Sequence, residues 1–135
     1  MSDYEFELPL KVMLPRKTKK DRAFYVNMNT FTGVQSFTYN EAKKNYRDHM
    51  EEQLTSVEPP CKPIRIAYEY YSRANNEPDL SNFVSAGIKF FEDAMVHHEF
   101  IVDDNINYIP AYSARYMGKD GKNPRIVAKV YVVDE

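Results

Sequence analysis

The sequence predicts an α+β domain in which a small mixed β-sheet carries two helices packed on one face. Three observations lead to this prediction. Several segments of strand length alternate apolar and polar residues, two longer segments place apolar residues at helical spacing, and strands and helices do not alternate regularly. A chain of 135 residues suffices for one hydrophobic core, so we expect a single domain over residues 1–135.

The first half of the chain is predicted to contain two strands and one helix. Residues 4–12 alternate apolar and polar side chains, and residues 24–33 have the pattern of a short strand that enters a turn. Thr38 or Asn40 is expected to cap a helix that ends near Leu54. One face of this helix is predicted to include Ala42, Tyr46, His49, Met50, Gln53 and Leu54.

The second half of the chain is predicted to contain the centre of the sheet. Residues 64–71 form the clearest central strand, and a second helix is expected over residues 79–98, directly after a proline. We expect three elements to follow, namely a strand over residues 106–117, a turn, and a last strand over residues 125–133. We expect these last two strands to form a hairpin.

The charge of the chain excludes one class of protein and leaves another open. A net charge of −2 is not that of a protein that coats nucleic acid nonspecifically. The basic residues are nevertheless concentrated in residues 16–22 and 119–125, while acidic residues collect between Asp79 and Asp104. Acidic residues that hold a cation, beside basic residues that hold phosphate, are what a metal-dependent nuclease needs.

Cysteine content and hydropathy bear on the compartment. Cys61 is the one cysteine, so no internal disulfide can form, and we interpret it as a structural residue within a proline cluster. The first residues lack the features of a signal peptide, and no apolar run approaches the length of a bilayer span. We therefore expect a cytoplasmic protein without membrane contact.

The second predicted helix carries a polar stripe. Positions 79, 82, 86, 89 and 93 are three or four residues apart and therefore share one helical face. The polar members of this stripe are Asp79, Asn82, Lys89 and Asp93. We expect the opposite side of the helix to pack on the sheet.

A pair of acidic residues follows this helix. If Asp103 and Asp104 fold against its polar face, several carboxylates converge near Lys89. Close carboxylates repel one another, and Mg²⁺ relieves this repulsion because it binds carboxylate and water oxygens. Such an ion activates water for attack on a phosphodiester, and Lys89 would offset the charge that develops on the phosphorus group.

Structural explanations of the same residues remain open. Asp79 has the position of a helix cap, and Asp103 and Asp104 are typical of a turn. Lys89 and Asp93, one helical turn apart, are equally suited to a surface ion pair worth about 0.3–0.5 kcal/mol.

Three segments together resemble the RusA-type Holliday-junction resolvases, small enzymes of phages and prophages. These segments are Asp79-Leu80-Ser81-Asn82-Phe83, Lys89-Phe90-Phe91-Glu92-Asp93-Ala94-Met95 and Asp103-Asp104-Asn105. They are similar to a D-x-D-N helix entrance, a lysine and a D-A-L-like segment along the helix, and a D-D pair before a strand. The close similarity covers about the middle fifth of the chain, and the rest agrees in length and element order.

The resemblance implies a RusA-like fold and a Mg²⁺-dependent homodimer, with Mn²⁺ able to replace Mg²⁺. Such an enzyme nicks two strands of a four-way DNA junction symmetrically during recombination and repair. Asp79, Lys89 and Asp104 match the catalytic positions. The implied metal ligands are Asp79, Asp103, Asp104 and Asp93.

Two positions depart from the family pattern. Ser81 stands where the second acid of D-x-D-N is expected, so one metal ligand is absent. The segment between Asp79 and Lys89 is also about one helical turn longer, and Asp93 or Asn82 could then supply the missing oxygen. The alternative function is therefore a catalytically weakened module that binds branched DNA or a protein.

Basic residues outside the helix are candidates for contact with the DNA backbone. They are Arg16, Lys17, Lys19, Lys20 and Arg22 in the first basic loop, and Lys119, Lys122 and Arg125 near the last turn. Tyr25, Phe31 and Phe37 are candidates either for stacking on unpaired bases or for the core. His97 and His98 are adjacent on a helix and point in different directions, which favours a role at the helix end over metal binding.

Overall fold

The computed structural model describes residues 1–75 and 79–133. The strands are β1 (Tyr4–Leu8), β2 (Lys11–Leu14), β3 (Arg22–Tyr25), β4 (Ile64–Ser72), β5 (Ala111–Lys119) and β6 (Arg125–Val132), and the helices are α1 (Met28–Gly33), α2 (Ser36–Thr55) and α3 (Leu80–His97). Pro78, the proline expected before the second long helix, lies outside the described residues.

Four strands form the main sheet in the order β1-β6-β4-β5. β6 runs antiparallel to both β1 and β4, whereas β5 runs parallel to β4 after the α3 crossover. Alternate side chains of β4 are buried, beginning with Ile64, because successive residues of a strand point to opposite faces. α3 packs on the buried face of this sheet and α2 packs on α3 and β2, so the predicted α+β architecture with a mixed sheet is confirmed.

The first predicted strand divides into two. Residues 4–8 belong to the main sheet, but the chain turns at Pro9, and β2 pairs with β3 in a separate two-stranded sheet. Proline has no N–H to donate to a continuing ladder, which explains the break at this position. The prediction of one strand over residues 4–12 is therefore wrong.

The expected hairpin between the last two strands is also wrong, because β4 lies between β5 and β6. The connection crosses the end of β4, where the Asp120 N–H donates to the Ser72 carbonyl at 2.8 Å. β5 begins at Ala111 and not at residue 106, since Asn105 organises a turn and Pro110 follows it.

The first long helix and the segment before it also differ from expectation. α2 begins at Ser36, earlier than Thr38 or Asn40. Ala42, Tyr46, Met50 and Leu54 are buried as predicted, but His49 is exposed. The expected turn near Gly33 contains α1, whose first turn is capped by the Asn27 side chain accepting from the Thr30 N–H at 2.8 Å.

α3 is the most buried helix, because it packs on the sheet with one side and on α1 and α2 with another. Phe91 contacts the rings of Phe6 and Tyr68 in the sheet. The next residue toward the N-terminus, Phe90, contacts Phe31 and Tyr46 from the helical layer. No helix in the described part of the chain is long and apolar enough to span a bilayer.

Candidate active site beside the third helix

α3 confirms the predicted second long helix almost to the residue. It extends from Leu80 to His97, with Asp79 at the N-cap position and His98 at the C-cap. Asp79 is exposed, and its side chain makes no capping hydrogen bond to the described residues. Helix capping therefore does not account for this carboxylate.

The predicted polar stripe of α3 is only partly exposed, because other helices cover its middle. Ala86 at its middle is fully buried. The Asn82 Oδ1 accepts hydrogen bonds from the backbone N–H groups of Met28, at 2.7 Å, and Asn29, at 3.2 Å, at the start of α1. Packing of α1 and α2 against this side explains the difference, since a sequence pattern does not show which neighbours cover a helix.

Asp93 is held by α2. Its Oδ2 accepts from the Arg47 Nε at 2.8 Å in a partly buried ion pair. Arg47 also joins the two histidines to α2, because its guanidinium lies 3.3 Å from the His97 Nδ1 and its carbonyl oxygen 2.8 Å from the His98 Nε2. Asp93 and both histidines thus join the two long helices.

The exposed side of α3 presents Ser85, Lys89 and Glu92, which are four and three residues apart. The pKa of Glu92 is raised to about 7, first by burial and then by the negative charge of Asp104, while Lys89 lowers it. Lys89 and Asp104 therefore both lie within electrostatic range of Glu92, a carboxylate that the sequence analysis did not select.

The turn that carries Asp104 is ordered by its neighbour. The Asp103 carboxylate accepts from the Asp104 N–H at 2.7 Å and from the Asn105 side-chain amide at 3.2 Å. This is the local hydrogen bonding that Asp and Asn supply in turns. Asp103 thus holds the turn that carries Asp104, whose negative charge raises the pKa of Glu92.

A buried hydroxyl lies behind this cluster. Tyr68 is fully buried on β4, and its hydroxyl has no hydrogen-bond partner among the described residues. Burial raises the pKa of Tyr68, and the nearby Glu92 raises it further. Glu92 therefore interacts electrostatically both with the buried Tyr68 and with the exposed Asp104.

Asp79 stands apart from the Lys89–Glu92–Asp104 cluster. A helix rises about 1.5 Å per residue, so Asp79 lies roughly 15 Å from Lys89 and roughly 20 Å from Glu92 along the axis. Mg²⁺ contacts its ligands at only about 2.1 Å. Asp79 and Glu92 of one chain therefore cannot share one ion. Asp79 instead lines a cavity of about 280 Å³ together with Ser72 and Tyr116.

The donor set of the cluster fits a hard cation that is only partly held by protein. Glu92 and Asp104 supply carboxylate oxygens, and the described residues contain no group of three or more potential ligand side chains arranged to hold a metal. Mg²⁺ is commonly bound by one or two carboxylates together with waters and substrate phosphate. Two carboxylates therefore suffice if a phosphate completes the coordination.

The two groups of basic residues differ in availability. Residues 16–22 lie at the tip of the β2–β3 hairpin and are exposed, as are Lys119 and Lys122. Arg125 is partly buried, and its guanidinium forms an ion pair with Asp120 at 3.0 Å and stacks over Tyr71 at 4.1 Å. The exposed lysines and arginines are free to meet an approaching phosphate, while Arg125 is already bound to its neighbours.

The three aromatic candidates separate by burial. Phe31 packs against Phe24 and Phe90 and belongs to the core. Tyr25 is 45% exposed and Phe37 is 76% exposed.

Cys61 is an exposed free thiol.

Glu92 could have been found from one signal in the sequence. It follows Lys89 by three residues and so lies one turn further along the same side of the helix. Selecting it over Asp93 required knowing that α2 covers the Asp93 side, which spacing does not show.

Comparison with protein-family models gives no match, and comparison with curated proteins gives none either.

Proposed function

We propose that the protein is a Mg²⁺-dependent endonuclease that cuts branched DNA at the Lys89–Glu92–Asp104 cluster. The observation that carries this proposal is that the Lys89 ammonium and the Asp104 carboxylate both act electrostatically on Glu92 of α3, whose pKa is raised to about 7, first by burial. Two carboxylates beside an ammonium suit metal-assisted phosphodiester hydrolysis, because carboxylates hold the cation and the ammonium offsets charge on the phosphate. The similarity to RusA-type resolvases supplies the four-way junction as substrate.

Each residue of the cluster has a distinct task. Glu92 and Asp104 would hold Mg²⁺ or Mn²⁺, which supplies an activated water and polarises the scissile phosphate. Lys89 neutralises the charge that develops on the phosphate oxygens. Asp103 positions Asp104 through the turn hydrogen bonds at 2.7 Å and 3.2 Å.

The basic residues supply affinity for the DNA backbone. The hairpin-tip residues Arg16, Lys17, Lys19, Lys20 and Arg22, with Lys119 and Lys122, would contact phosphates of the junction arms. Changing Arg16, Lys17, Lys19 and Lys20 to alanine should flatten the salt dependence of junction binding. An unaltered slope would show that this loop does not touch DNA.

We also propose that the enzyme is a homodimer, because a four-way junction has two equivalent strands to cut. The outer edge of β5 supports this, since β4 is the only described strand that pairs with it. An unpaired edge is a template for another strand. Antiparallel pairing centred on Ala114 would set Tyr112, which is 61% exposed, against Tyr116 of the partner subunit.

The dimer is tested by light scattering during gel filtration. Tyr112→Lys should convert a dimer to a monomer, because a charge at a strand edge opposes pairing. The control Phe37→Lys alters another exposed aromatic residue, on α2 and away from β5, and should leave the dimer intact. A monomeric wild-type protein would refute the dimer.

The nuclease proposal is tested with a synthetic four-way junction and Mg²⁺. Wild-type protein should cut two strands symmetrically. Asp104→Asn should abolish cleavage with junction binding unchanged or tighter, because loss of the carboxylate removes repulsion from phosphate. Tight binding by wild type without any cleavage would refute the enzyme.

The second candidate is a module that binds branched DNA without cutting it. The separation of Asp79 from Glu92 along α3, together with Ser81 in place of an acid, favours this alternative. In that case Asp104→Asn would change neither the binding of a junction nor its integrity in Mg²⁺.

A further inference from the structure

A second cavity lies away from the Lys89–Glu92–Asp104 cluster. It has a volume of about 670 Å³ and is bounded by the β1–β2 connection, by Tyr25 of β3, and by Arg125 at the start of β6. We call it the Tyr25 groove. Leu8 and Phe83, both buried, form part of its apolar lining. Small-molecule sites typically enclose about 300–1,000 Å³ with mostly apolar walls and a few polar groups.

The charged lining of the Tyr25 groove is mainly positive. Lys11, Arg73 and Arg125 contribute cations, and Glu7 is the one acidic residue of the described lining. The Arg125 guanidinium is held by Asp120 at 3.0 Å and lies 3.7 Å from Glu7. The exposed Lys11 therefore contributes positive charge to the mouth of the groove.

An exposed aromatic ring stands beside these cations. Tyr25 is 45% exposed at the wall of the groove, and the Lys11 Nζ lies 6.0 Å from the centroid of its ring. The amide side chains of Asn27 and Asn123 also line the groove. A stacking surface, adjacent cations and amide groups together match a ligand that combines a flat base with a phosphate.

We propose that the Tyr25 groove binds one unpaired nucleotide of a DNA strand. The base stacks on Tyr25, and the phosphate meets Lys11. The choice of DNA as the source rests on the proposed function, whereas the ligand chemistry rests on the groove itself.

Binding is measured by fluorescence anisotropy of a labelled ten-nucleotide oligothymidylate in EDTA, so that no cleavage occurs. Tyr25→Ala should weaken binding roughly 5- to 150-fold, the range found for loss of one base-stacking contact. Tyr25→Phe should retain wild-type affinity because the ring remains. Lys11→Ala should reduce the slope of log affinity against log salt by about 0.7, as expected for one phosphate contact on a single strand.

A matched control separates the groove from general surface effects. Lys44→Ala removes an exposed lysine on α2 and should bind as wild type does. Equal affinity of Tyr25→Ala and wild type would overturn the proposal, as would an equal loss of salt slope in Lys44→Ala and Lys11→Ala. Displacement of the oligonucleotide by polyglutamate as readily as by thymidine monophosphate would also overturn it, because the groove would then recognise charge alone.

Two arms identify the source of the nucleotide and keep this proposal apart from the nuclease. Thymidine monophosphate binding that is weaker than the oligonucleotide yet sensitive to Tyr25→Ala supports a strand as the ligand. If thymidine monophosphate binds as tightly as the oligonucleotide, the ligand of the groove is a free nucleotide, and the assignment to a DNA strand is overturned. Tyr25-dependent binding without junction cleavage would refute only the nuclease, and cleavage without Tyr25-dependent binding would refute only the groove.

Discussion

Replacing Glu92 with glutamine links the candidate site to a measurable stability. The pKa of Glu92 is raised from 4.5 to about 7 in the folded protein, by burial and by Asp104. Between these values the folded protein keeps the proton that the unfolded chain has released. The folded state then binds more protons, so its stability falls as pH rises from about 4.5 to 7.

The size of this effect follows from the interval between the two values. An interval from 4.5 to about 7 corresponds to at most about 3 kcal/mol. Glu92 is only partly buried, and solvent screening reduces the expected contribution to about 1–2 kcal/mol. Glu92→Gln keeps the shape of the protonated side chain and cannot ionise. We expect it to match wild type at pH 5 and to exceed it by about 1–2 kcal/mol at pH 8.

The assay is urea unfolding in metal-free buffer at pH 5, 6, 7 and 8, with Glu92→Gln and wild type measured side by side. Glu51→Gln alters an exposed glutamate of α2 and should follow wild type at every pH. Asp104→Asn should narrow the difference, because it removes a charge that raises the pKa of Glu92. Parallel pH profiles of wild type and Glu92→Gln would refute the raised pKa of Glu92 in the folded protein.

Three further predictions concern the packing that supports the site. Tyr46→Phe should leave the free energy of unfolding unchanged or raise it by up to about 1–2 kcal/mol. The reason is that the buried Tyr46 hydroxyl has no hydrogen-bond partner among the described residues. Thermal unfolding measures this, and a loss of more than about 1 kcal/mol would contradict it. Gln53→Ala should destabilise the protein by about 1–2 kcal/mol in urea unfolding. The Gln53 side-chain amide accepts from the Glu7 N–H at 2.8 Å and donates to the Glu7 carbonyl at 2.9 Å, at the open edge of β1. An unchanged unfolding midpoint would show that water replaces both hydrogen bonds. Asp93→Asn should lower stability by about 0.5–1 kcal/mol, because it removes the ion pair with Arg47, and should leave junction cleavage intact. Loss of cleavage without loss of stability would instead make Asp93 a metal ligand.

The sequence by itself determined the elements whose patterns are local. The alternation from Ile64 onward predicted β4, and the apolar spacing after Asp79 predicted α3 within a residue of each end. Both elements are set by side-chain periodicity, which is written in consecutive residues. The pair Lys89 and Asp104 was also within reach, because a helix followed by a short turn returns the chain toward the same helix.

Only the tertiary structure decided which partners each element meets. Periodicity does not order strands in a sheet, so the sequence could not show that β4 separates β5 from β6. Nor could it show that α2 covers the Asp93 side of α3, which leaves the neighbouring Glu92 beside Asp104. Neighbouring residues on a helix differ by about 100° in direction, so docking of a second helix decides which of two adjacent carboxylates forms an ion pair and which joins the candidate site.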